Sequence, residues 1–330
     1  MLLLSKEEIK EIFSMKEAIE ACKLAFQTFS SGKSIIPLRT NLEIIKYNGT
    51  TLFMPGYVED FDIAGVKIVS VFPDNPSKGK PSVPATMILM DETTGEVCSI
   101  LDGTYLTQLR TGAASGAATD ILARKNSRIG ALIGTGGQAI CQLEAMLTVR
   151  RLEEVRIFSR NSERVKSFVK KAQTDLSYFD TSFLVAKSSD DAIKDADIIT
   201  AVTTSKQPVF DGSLVKAGAH INGVGSFMPD MQELDEEIIR RANKIYFDSQ
   251  EAVLSESGDF ITPLKNNKID KNNFVGDLGE VINGDLKGRE SDKEITLFKT
   301  VGLAVQDIVT GTMIYKKALK NKVGQNYYFK

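Results

Sequence analysis

The sequence has 330 residues, which is enough for about two domains. Hydrophobic residues make up 42% and charged residues 25% of it, and the net charge is −2, so nothing suggests a nucleic acid or a membrane surface as partner. No apolar stretch approaches the roughly 18 residues of a membrane-spanning helix, and the early charges after Leu4 are unlike a signal peptide.

Cysteine and histidine content narrows the chemistry further. Three widely spaced cysteines, Cys22, Cys98 and Cys141, predict reduced thiols in a cytoplasmic protein. A single histidine, His220, argues against a histidine-rich metal site, and no metal is predicted.

The chain begins with a packing helix and continues into a β-rich segment. Ser5–Glu8 and Ser14–Glu17 both match the S-x-x-E capping box, and the second opens a helix with apolar side chains at helical spacing as far as Phe29. Antiparallel hairpins are predicted around Asn48-Gly49 and Glu92–Gly95. The candidate strands are Arg39–Ile45, Thr51–Pro55, Gly65–Phe72 and Ala85–Asp91.

Three basic residues in this first part of the chain are unusually placed. Arg39 begins a strand, Lys67 interrupts the apolar run of another, and Arg110 lies in a helix of small residues. Because a buried cation needs a partner, each is either a solvent-facing or ion-paired residue or part of a site for a small carboxylate. The pattern alone leaves both interpretations open.

A glycine-rich turn at the centre of the chain is the strongest motif. The apolar strand pattern Ile129–Ile133 leads into Gly134-Thr-Gly-Gly-Gln-Ala139, and a helical pattern follows. This is the context that G-x-G-x-x-A requires for dinucleotide binding, and a purely structural turn is the alternative. Gly134 permits the turn, Gly136 lets a pyrophosphate approach the backbone, and Ala139 keeps the helix close to its strand. The phosphates would bind N–H groups at the start of the helix.

The residues that follow the next strand bear on the choice of cofactor. An acidic residue about 20 positions beyond the glycine motif usually binds the ribose hydroxyls of NAD. Ser159 occupies that place and Arg160 follows it, a pair that suits a 2′-phosphate. We therefore expect NADP(H), with NAD(H) as the alternative if Arg160 only stacks on the adenine.

Further strands alternate with helical stretches, as in a doubly wound parallel sheet. Thr203 and the pair Val224-Gly225 follow or close two of them at their carboxyl ends, where ligands of such sheets bind, so these residues are candidates for nicotinamide contact. The strands are Val155–Phe158, Phe183–Val185, Ile198–Val202, Ala219–Val224 and Lys244–Phe247.

Two polar residues of this region each admit a structural and a catalytic interpretation. Asp230, with Glu233 three residues on, matches a capping box for a helix running through Ile238 and Ile239, and a catalytic role is the alternative. His220 lies in an apolar strand and is interpreted first as a hydrogen-bonded core residue. A long helical pattern from Glu294 to Leu319 could return to pack on the first domain.

A series of short motifs runs through the chain in one order. They are Pro37-Leu-Arg39, Met54-Pro55, Lys67, Pro81-Ser-Val-Pro84, Leu109-Arg-Thr-Gly-Ala-Ala114, Ile133-Gly-Thr-Gly-Gly-Gln138, Ala219-His-Ile-Asn-Gly-Val-Gly225, Glu256-Ser-Gly-Asp259, Gly288-Arg-Glu-Ser-Asp292 and Phe298-Lys-Thr-Val-Gly302. Together they resemble the ornithine cyclodeaminase/mu-crystallin family over nearly the whole length.

The resemblance implies an α/β fold and a homodimer. Each subunit would have a discontinuous α+β substrate-binding and dimerisation domain, residues 1–120 with the C-terminal helix 294–330, and a Rossmann domain, residues 121–293. It implies that Arg39 and Arg110 hold a substrate carboxylate, that Met54 lies in the substrate site, and that Lys67 is catalytic. Motif and resemblance together predict cofactor contacts for Ser82, Arg110, Gly134, Gly136, Gly137, Gln138, Ser159, Arg160, Thr203, Val224, Gly225 and Thr300.

These assignments suit hydride transfer at a carbon that bears nitrogen and a carboxylate. Two arginines would orient the carboxylate, and a lysine desolvated beside them can carry the proton that the nitrogen requires. Phe227 stands where the cyclodeaminases have a catalytic aspartate, and Asp230 is the nearest acid, so we predict it as a second catalytic residue.

We therefore expect an NAD(P)H-dependent oxidoreductase acting on the CH–N bond of a small amino or imino acid, either a cyclic ketimine reductase or an alanine-dehydrogenase-like enzyme. Ornithine cyclodeaminase, which forms proline and ammonia and recycles NAD, is the alternative. A non-enzymatic mu-crystallin-like binding protein comes third, because it would have no catalytic need for Lys67.

Overall fold

The computed structural model describes residues 1–328, so the last two residues of the predicted segment 294–330 lie outside the described residues. Backbone contacts divide the chain into two units. One consists of Met1–Ala113 together with Leu303–Lys330, and the other is the continuous stretch Ala114–Gly302. The sequence analysis predicts the boundaries between the two units at residues 120/121 and 293/294.

The described residues form eleven α-helices and sixteen β-strands. The helices are α1 (Lys6–Ile12), α2 (Met15–Ser30), α3 (Gly103–Leu122), α4 (Ala139–Val149), α5 (Ser162–Asp175), α6 (Ser189–Ile193), α7 (Glu236–Arg241), α8 (Gln250–Glu256), α9 (Gly258–Lys265), α10 (Leu278–Asn283) and α11 (Ala304–Asn321). The strands are β1 (Leu2–Leu4), β2 (Ser34–Ile35), β3 (Thr40–Ile44), β4 (Gly49–Val58), β5 (Ile63–Val71), β6 (Ala85–Asp91), β7 (Val97–Asp102), β8 (Ile129–Ile133), β9 (Glu154–Phe158), β10 (Ser182–Val185), β11 (Ile198–Ala201), β12 (His220–Gly223), β13 (Lys244–Phe247), β14 (Phe274–Asp277), β15 (Thr296–Lys299) and β16 (Gln325–Asn326). None of the described helices is long and apolar enough to cross a membrane.

The first unit is built on a mixed sheet in the order β16-β1-β7-β6-β5-β4-β2, with β3 also paired to β4. Both predicted hairpins are confirmed: β3 and β4 pair antiparallel across Asn48, and β6 and β7 pair antiparallel across the turn that contains Gly95. Burial alternates along β5, so that Lys67 shares the buried face with Ile63 and Val69. The sequence therefore directs a cation into the core of this unit.

Helices of the first unit begin where the sequence predicts. Ser5 and Ser14 each form a complete capping box, with Glu8 and Glu17 respectively, at the start of α1 and α2. Arg110 lies in α3, whose neighbouring alanines are fully buried. The boundary between the two units falls inside this helix.

The second unit contains the predicted doubly wound parallel sheet. Its eight strands have the order β10-β9-β8-β11-β12-β15-β13-β14, and every neighbouring pair is parallel. The chain goes from β8 to β9 on one side and resumes on the other side at β11. Strand order therefore reverses between β8 and β11, and ligands of open α/β sheets bind at the carboxyl ends of the strands at such a point.

The predicted helix from Glu294 is wrong in its first turns. Thr296–Lys299 forms β15, a fully buried central strand between β12 and β13, and Gly302 with φ +83° separates it from α11. Leu297 and Val301 fit a helical spacing, but a short apolar run with β-branched and aromatic residues fits a buried strand equally well. The segment is a strand because it pairs with β12 on one edge and with β13 on the other.

Candidate active site

The glycine-rich turn joins β8 to α4, as the sequence predicts. Gly134 has φ +109°, and a Cβ there would lie 2.5 Å from the carbonyl oxygen of Val202, so only glycine fits. A Cβ on Gly136 would meet no atom of the described residues within 4 Å other than those of its two chain neighbours. Packing within the unit therefore does not require glycine at this position, whereas close approach of a phosphate would.

Polar atoms around this turn fit an anionic ligand. The hydroxyl of Thr135, which can donate to an anion, and the Oε1 of Gln138, which can only accept, are buried and have no hydrogen-bond partner among the described residues. Gln138 is the N-cap of α4 but makes no side-chain capping bond, so the cap itself does not satisfy the first N–H groups of the helix. Gly137, between them, is exposed. Donors without an internal acceptor at a helix start are suited to a pyrophosphate.

Ser159 and Arg160 directly follow β9, the strand adjacent to β8. Ser159 is partly buried, and the side chain of Arg160 is exposed. Both residues therefore lie at the carboxyl edge of the parallel sheet, where the ribose of a dinucleotide binds in this fold.

A buried glutamate connects the loops after β11 and β12. The N–H of Thr203 donates to Oε1 of Glu233, and the N–H of Gly225 donates to Oε2 at 2.5 Å. The N–H of Val224 donates to the carbonyl of Ala201 at 2.9 Å. These three donors are used within the chain, so a cofactor contact by Thr203, Val224 or Gly225 would use a carbonyl or a side chain.

Glu233 is itself held by two residues that the sequence analysis did not assign. Its N–H donates to Oδ1 of Asp259 at 2.6 Å, and Nζ of Lys299 lies 3.0 Å from Oδ2 of Asp259. All three side chains are fully buried. Burial raises the pKa of the Glu233 carboxyl, and the positive charge of Lys299 opposes that shift. The signal in the sequence for Lys299 was a charged residue directly after the apolar pair Leu297-Phe298.

Thr300 lies at the end of β15 and is almost fully buried. Its hydroxyl donates to Oδ2 of Asp248 at 2.6 Å, and the same oxygen accepts the N–H groups of Val301 and Gly302. Asp248, which follows β13, thus fixes the turn that carries Thr300.

The capping prediction for Asp230 is wrong. Helix α7 starts only at Glu236, and its N-cap is Asp235, which accepts the N–H of Ile238 at 2.8 Å. Asp230 is 58% exposed and forms an ion pair with Lys206. An equally good capping residue five positions later takes the role, because Glu233 is held in the interior of the unit.

His220 is a core residue, as its first interpretation states. Its ring nitrogens lie 2.9 Å from Oγ1 of Thr296 and 3.1 Å from Oδ1 of Asn222. Burial, together with the charge of Arg289, lowers the pKa of His220 to about 3, so the ring is neutral at neutral pH.

In the first unit, Lys67 and Arg110 share one carboxylate. The Nζ of Lys67 donates to Oδ2 of Asp307 at 2.6 Å, and Nε of Arg110 donates to Oδ1 of the same residue at 2.9 Å. Nη1 of Arg110 donates to Oε1 of Gln306 at 2.8 Å. The internal ion pair, one of the two interpretations of these cations, is therefore present. Asp307 was not predicted; its signal was an acid on a helix whose neighbouring positions Val305, Ile308 and Val309 are apolar.

Opposing influences in this environment set the pKa of Lys67. Burial and the positive charge of Arg110 lower the pKa of Lys67 to about 7, while Asp307 raises it and Arg39 lowers it further. Lys67 is 1% exposed. A lysine with a pKa near neutrality can both give and take a proton under physiological conditions.

The other predicted residues of the first unit surround this group or lie apart from it. Arg39, partly buried, precedes β3 and acts electrostatically on Lys67. Met54 is the cross-strand partner of Lys67 in the β4–β5 ladder and belongs to a small apolar core with Leu52. Ser82, in the connection between β5 and β6, accepts the N–H of Phe72 through its carbonyl at 2.8 Å.

Comparison with known proteins identifies the family. The sequence pattern of the ornithine cyclodeaminase/mu-crystallin family matches residues 1–322. The chain belongs to the ornithine cyclodeaminase/mu-crystallin family. Within it, a Δ1-pyrroline-2-carboxylate reductase of Bacillus cereus is 41% identical over 329 residues, which cover 100% of both chains.

Two solved structures of ornithine cyclodeaminase/mu-crystallin relatives are similar over almost their full lengths. The Δ1-pyrroline-2-carboxylate reductase of Thermococcus litoralis, in complex with NADH and L-proline, has a TM-score of 0.94 and 42% identity, and covers 99% of this chain and 100% of its own. An archaeal alanine dehydrogenase dimer with bound NAD has a TM-score of 0.91 and 38% identity, and covers 100% of this chain and 99% of its own.

Proposed function

We propose that this protein is an NAD(P)H-dependent reductase of small cyclic imino acids, with Δ1-pyrroline-2-carboxylate as the first substrate to test. The observation that carries the proposal is the buried Lys67, which has a pKa of about 7 and lies beside Arg110 and Asp307. Relatives about 40% identical over the full length that reduce this imino acid support the substrate class.

In this proposal, Arg39 and Arg110 bind the carboxylate of the substrate. Arginine suits that task because its planar fork matches a carboxylate. Holding the carboxylate fixes the carbon that must accept hydride. A nicotinamide dinucleotide would supply that hydride, and the turn that contains Thr135, Gly136 and Gln138 would hold its pyrophosphate.

Lys67 is the proton donor of the proposed reaction. As the carbon of the C=N bond gains hydride, the nitrogen gains a proton from the Lys67 ammonium, and the lysine is left as a neutral amine. The lowered pKa brings the acid strength of Lys67 close to the working pH, where general acid catalysis is most efficient. Asp230 is 58% exposed and paired with Lys206, so this proposal assigns proton transfer to Lys67 alone.

Phe227 favours a reductase over the alternative, ornithine cyclodeaminase. Cyclisation of ornithine requires a group that binds and deprotonates a second amine, and a phenylalanine side chain can do neither. The carboxylate of Asp230 is already paired with Lys206.

For the cofactor, we propose a preference for NADPH within the NAD(P)H class. Support comes from Ser159 and Arg160 after β9, since an exposed guanidinium can bind a 2′-phosphate. The two similar solved structures hold NADH and NAD and therefore do not support a preference for NADPH. The proposed preference rests on Arg160.

We also propose that the protein is a cytoplasmic homodimer. The alanine dehydrogenase relative is a dimer, and the first unit exposes large apolar side chains in and beside β3 that a partner would cover, namely Ile35, Leu38, Leu42 and Ile45. All three cysteines are free thiols, as expected in a reducing compartment.

A cofactor-oxidation assay tests the proposed function. The protein is supplied with NADPH or NADH and with Δ1-pyrroline-2-carboxylate, Δ1-piperideine-2-carboxylate, or pyruvate plus ammonia, and ornithine with NAD is assayed separately for proline and ammonia. We expect the cyclic imino acids to be reduced fastest. Proline formed from ornithine without net NADH would contradict the reductase proposal.

The Lys67→Met variant serves as the matched test of mechanism in the same assay. We expect at least a 100-fold loss of kcat, within the range general acid catalysis contributes, about 10²–10⁴-fold. Binding of NADPH, measured by fluorescence titration, should stay within about twofold because Lys67 is not assigned to the cofactor. An active variant would rule out Lys67 as the proton donor.

A further inference from the structure

One carboxylate organises both cations of the first unit. Asp307 is fully buried near the start of α11, and each of its oxygens accepts a hydrogen bond from a different cation, Lys67 at 2.6 Å and Arg110 at 2.9 Å. A bridging acceptor of this kind fixes the ammonium and the guanidinium relative to each other. A lysine side chain is otherwise long and flexible.

Asp307 also opposes the two arginines that lower the pKa of Lys67. Arg110 on α3 and Arg39 before β3 both disfavour the ammonium, as does burial, while Asp307 on α11 favours it. The thiol of Cys22 on α2 donates to the carbonyl of Arg110, and burial raises its pKa to about 12, so it adds no charge near neutral pH. Asp307 is therefore the group that retains a proton on Lys67.

We propose that Asp307 is a positioning residue that holds the Lys67 ammonium in place and keeps it charged beside Arg110, so that Lys67 can protonate the imine nitrogen of the substrate. The inference rests on the proposed role of Lys67 as proton donor.

The test removes the charge of Asp307 and measures the titration of Lys67 in two ways. In Asp307→Asn, we expect the high-pH limb of kcat for imino acid reduction to move down by about 1–3 pH units, the size of shift that one nearby opposite charge produces. At pH 8 this corresponds to a loss of roughly 10-fold or more. The substrate titrates identically for both proteins, so the difference belongs to the enzyme.

The second readout does not depend on turnover. NMR of ¹³Cε-labelled lysine, assigned by the loss of one signal in Lys67→Met, reports the titration of Lys67 directly. We expect its midpoint to move down by the same 1–3 pH units in Asp307→Asn. If the wild-type protein reduces no imino acid, the proposed function fails, while this titration still decides the effect of Asp307 on Lys67.

Two further variants separate positioning from stability. Asp307→Glu keeps the charge and displaces it, so we expect the pH limb of the wild-type protein with kcat lowered at least 10-fold; wild-type kcat would overturn the positioning role. Thr312 is another buried polar residue of α11, and its hydroxyl donates to the carbonyl of Ile308. Thr312→Val should leave both the pH limb of kcat and the titration midpoint of Lys67 unchanged. An unmoved limb and an unmoved lysine midpoint in Asp307→Asn would overturn the inference.

Discussion

At the scale of single residues, the positions of the cations were predictable and their partners were not. Arg39, Lys67 and Arg110 stand out because each interrupts a pattern that should be apolar. Asp307 lies 240 residues from Lys67, and no local rule relates two positions so far apart. Only the packing of α11 against β5 brings the carboxylate to the lysine.

The proposed preference for NADPH depends on Arg160. We expect Arg160→Asp to raise the KM for NADPH at least 10-fold, because it replaces a charge-assisted hydrogen bond, worth about 1.5–3 kcal/mol, by repulsion. The KM for NADH should change by less than about twofold. Initial rates with both cofactors measure this, and Arg151→Asp, an exposed arginine ahead of β9, is the control. Equal effects on both cofactors would remove the argument for NADPH.

At the scale of elements, local patterns predicted most strands and misassigned the end of the chain. The glycine turn, both hairpins and the capping boxes at Ser5 and Ser14 depend on neighbouring residues, and all of these are observed. β15 depends instead on pairing with β12 and β13, which are distant in sequence. Its Leu297 and Phe298 fit either type of element until that pairing is known.

The loops after β11 and β12 both depend on the carboxylate of Glu233 as a hydrogen-bond acceptor. Glu233→Gln leaves an amide N–H facing a backbone N–H, so one loop loses its acceptor. Since Thr203 and Gly225 are predicted cofactor contacts, we expect the Kd for NADPH to rise about 10-fold or more, as for loss of one charged hydrogen bond. Fluorescence titration measures this.

Glu237, an acid on α7 that pairs with Arg240 at the surface, provides the matched control variant, Glu237→Gln. Its cofactor affinity should equal that of the wild-type protein. If Glu233→Gln lowers the melting temperature and leaves the Kd unchanged, the glutamate stabilises the fold without shaping the cofactor site.

At the scale of the whole molecule, self-association is the property to measure. We expect sedimentation equilibrium to give twice the 36.2 kDa of one chain. Leu42→Asp places a charge among the exposed apolar side chains of β3 and should yield monomers, because a buried unpaired charge is costly. Leu184→Asp, at a similarly exposed leucine of β10 in the second unit, should remain dimeric. A monomeric wild-type protein would contradict the proposal.

The order of the chain has a consequence for synthesis on the ribosome. Asp307 follows Lys67 by 240 residues, so at about 5–20 residues per second the counter-ion is made roughly 10–50 s after the lysine. During that interval Lys67 has no carboxylate to balance it, and burying it as an ammonium would be strongly unfavourable. We therefore expect the N-terminal sheet to remain partly solvated around β5 until α11 has been translated, by which time translation of the second unit is complete. Nascent chains stopped before residue 307 should accordingly be more sensitive to proteases in the first unit than in the second.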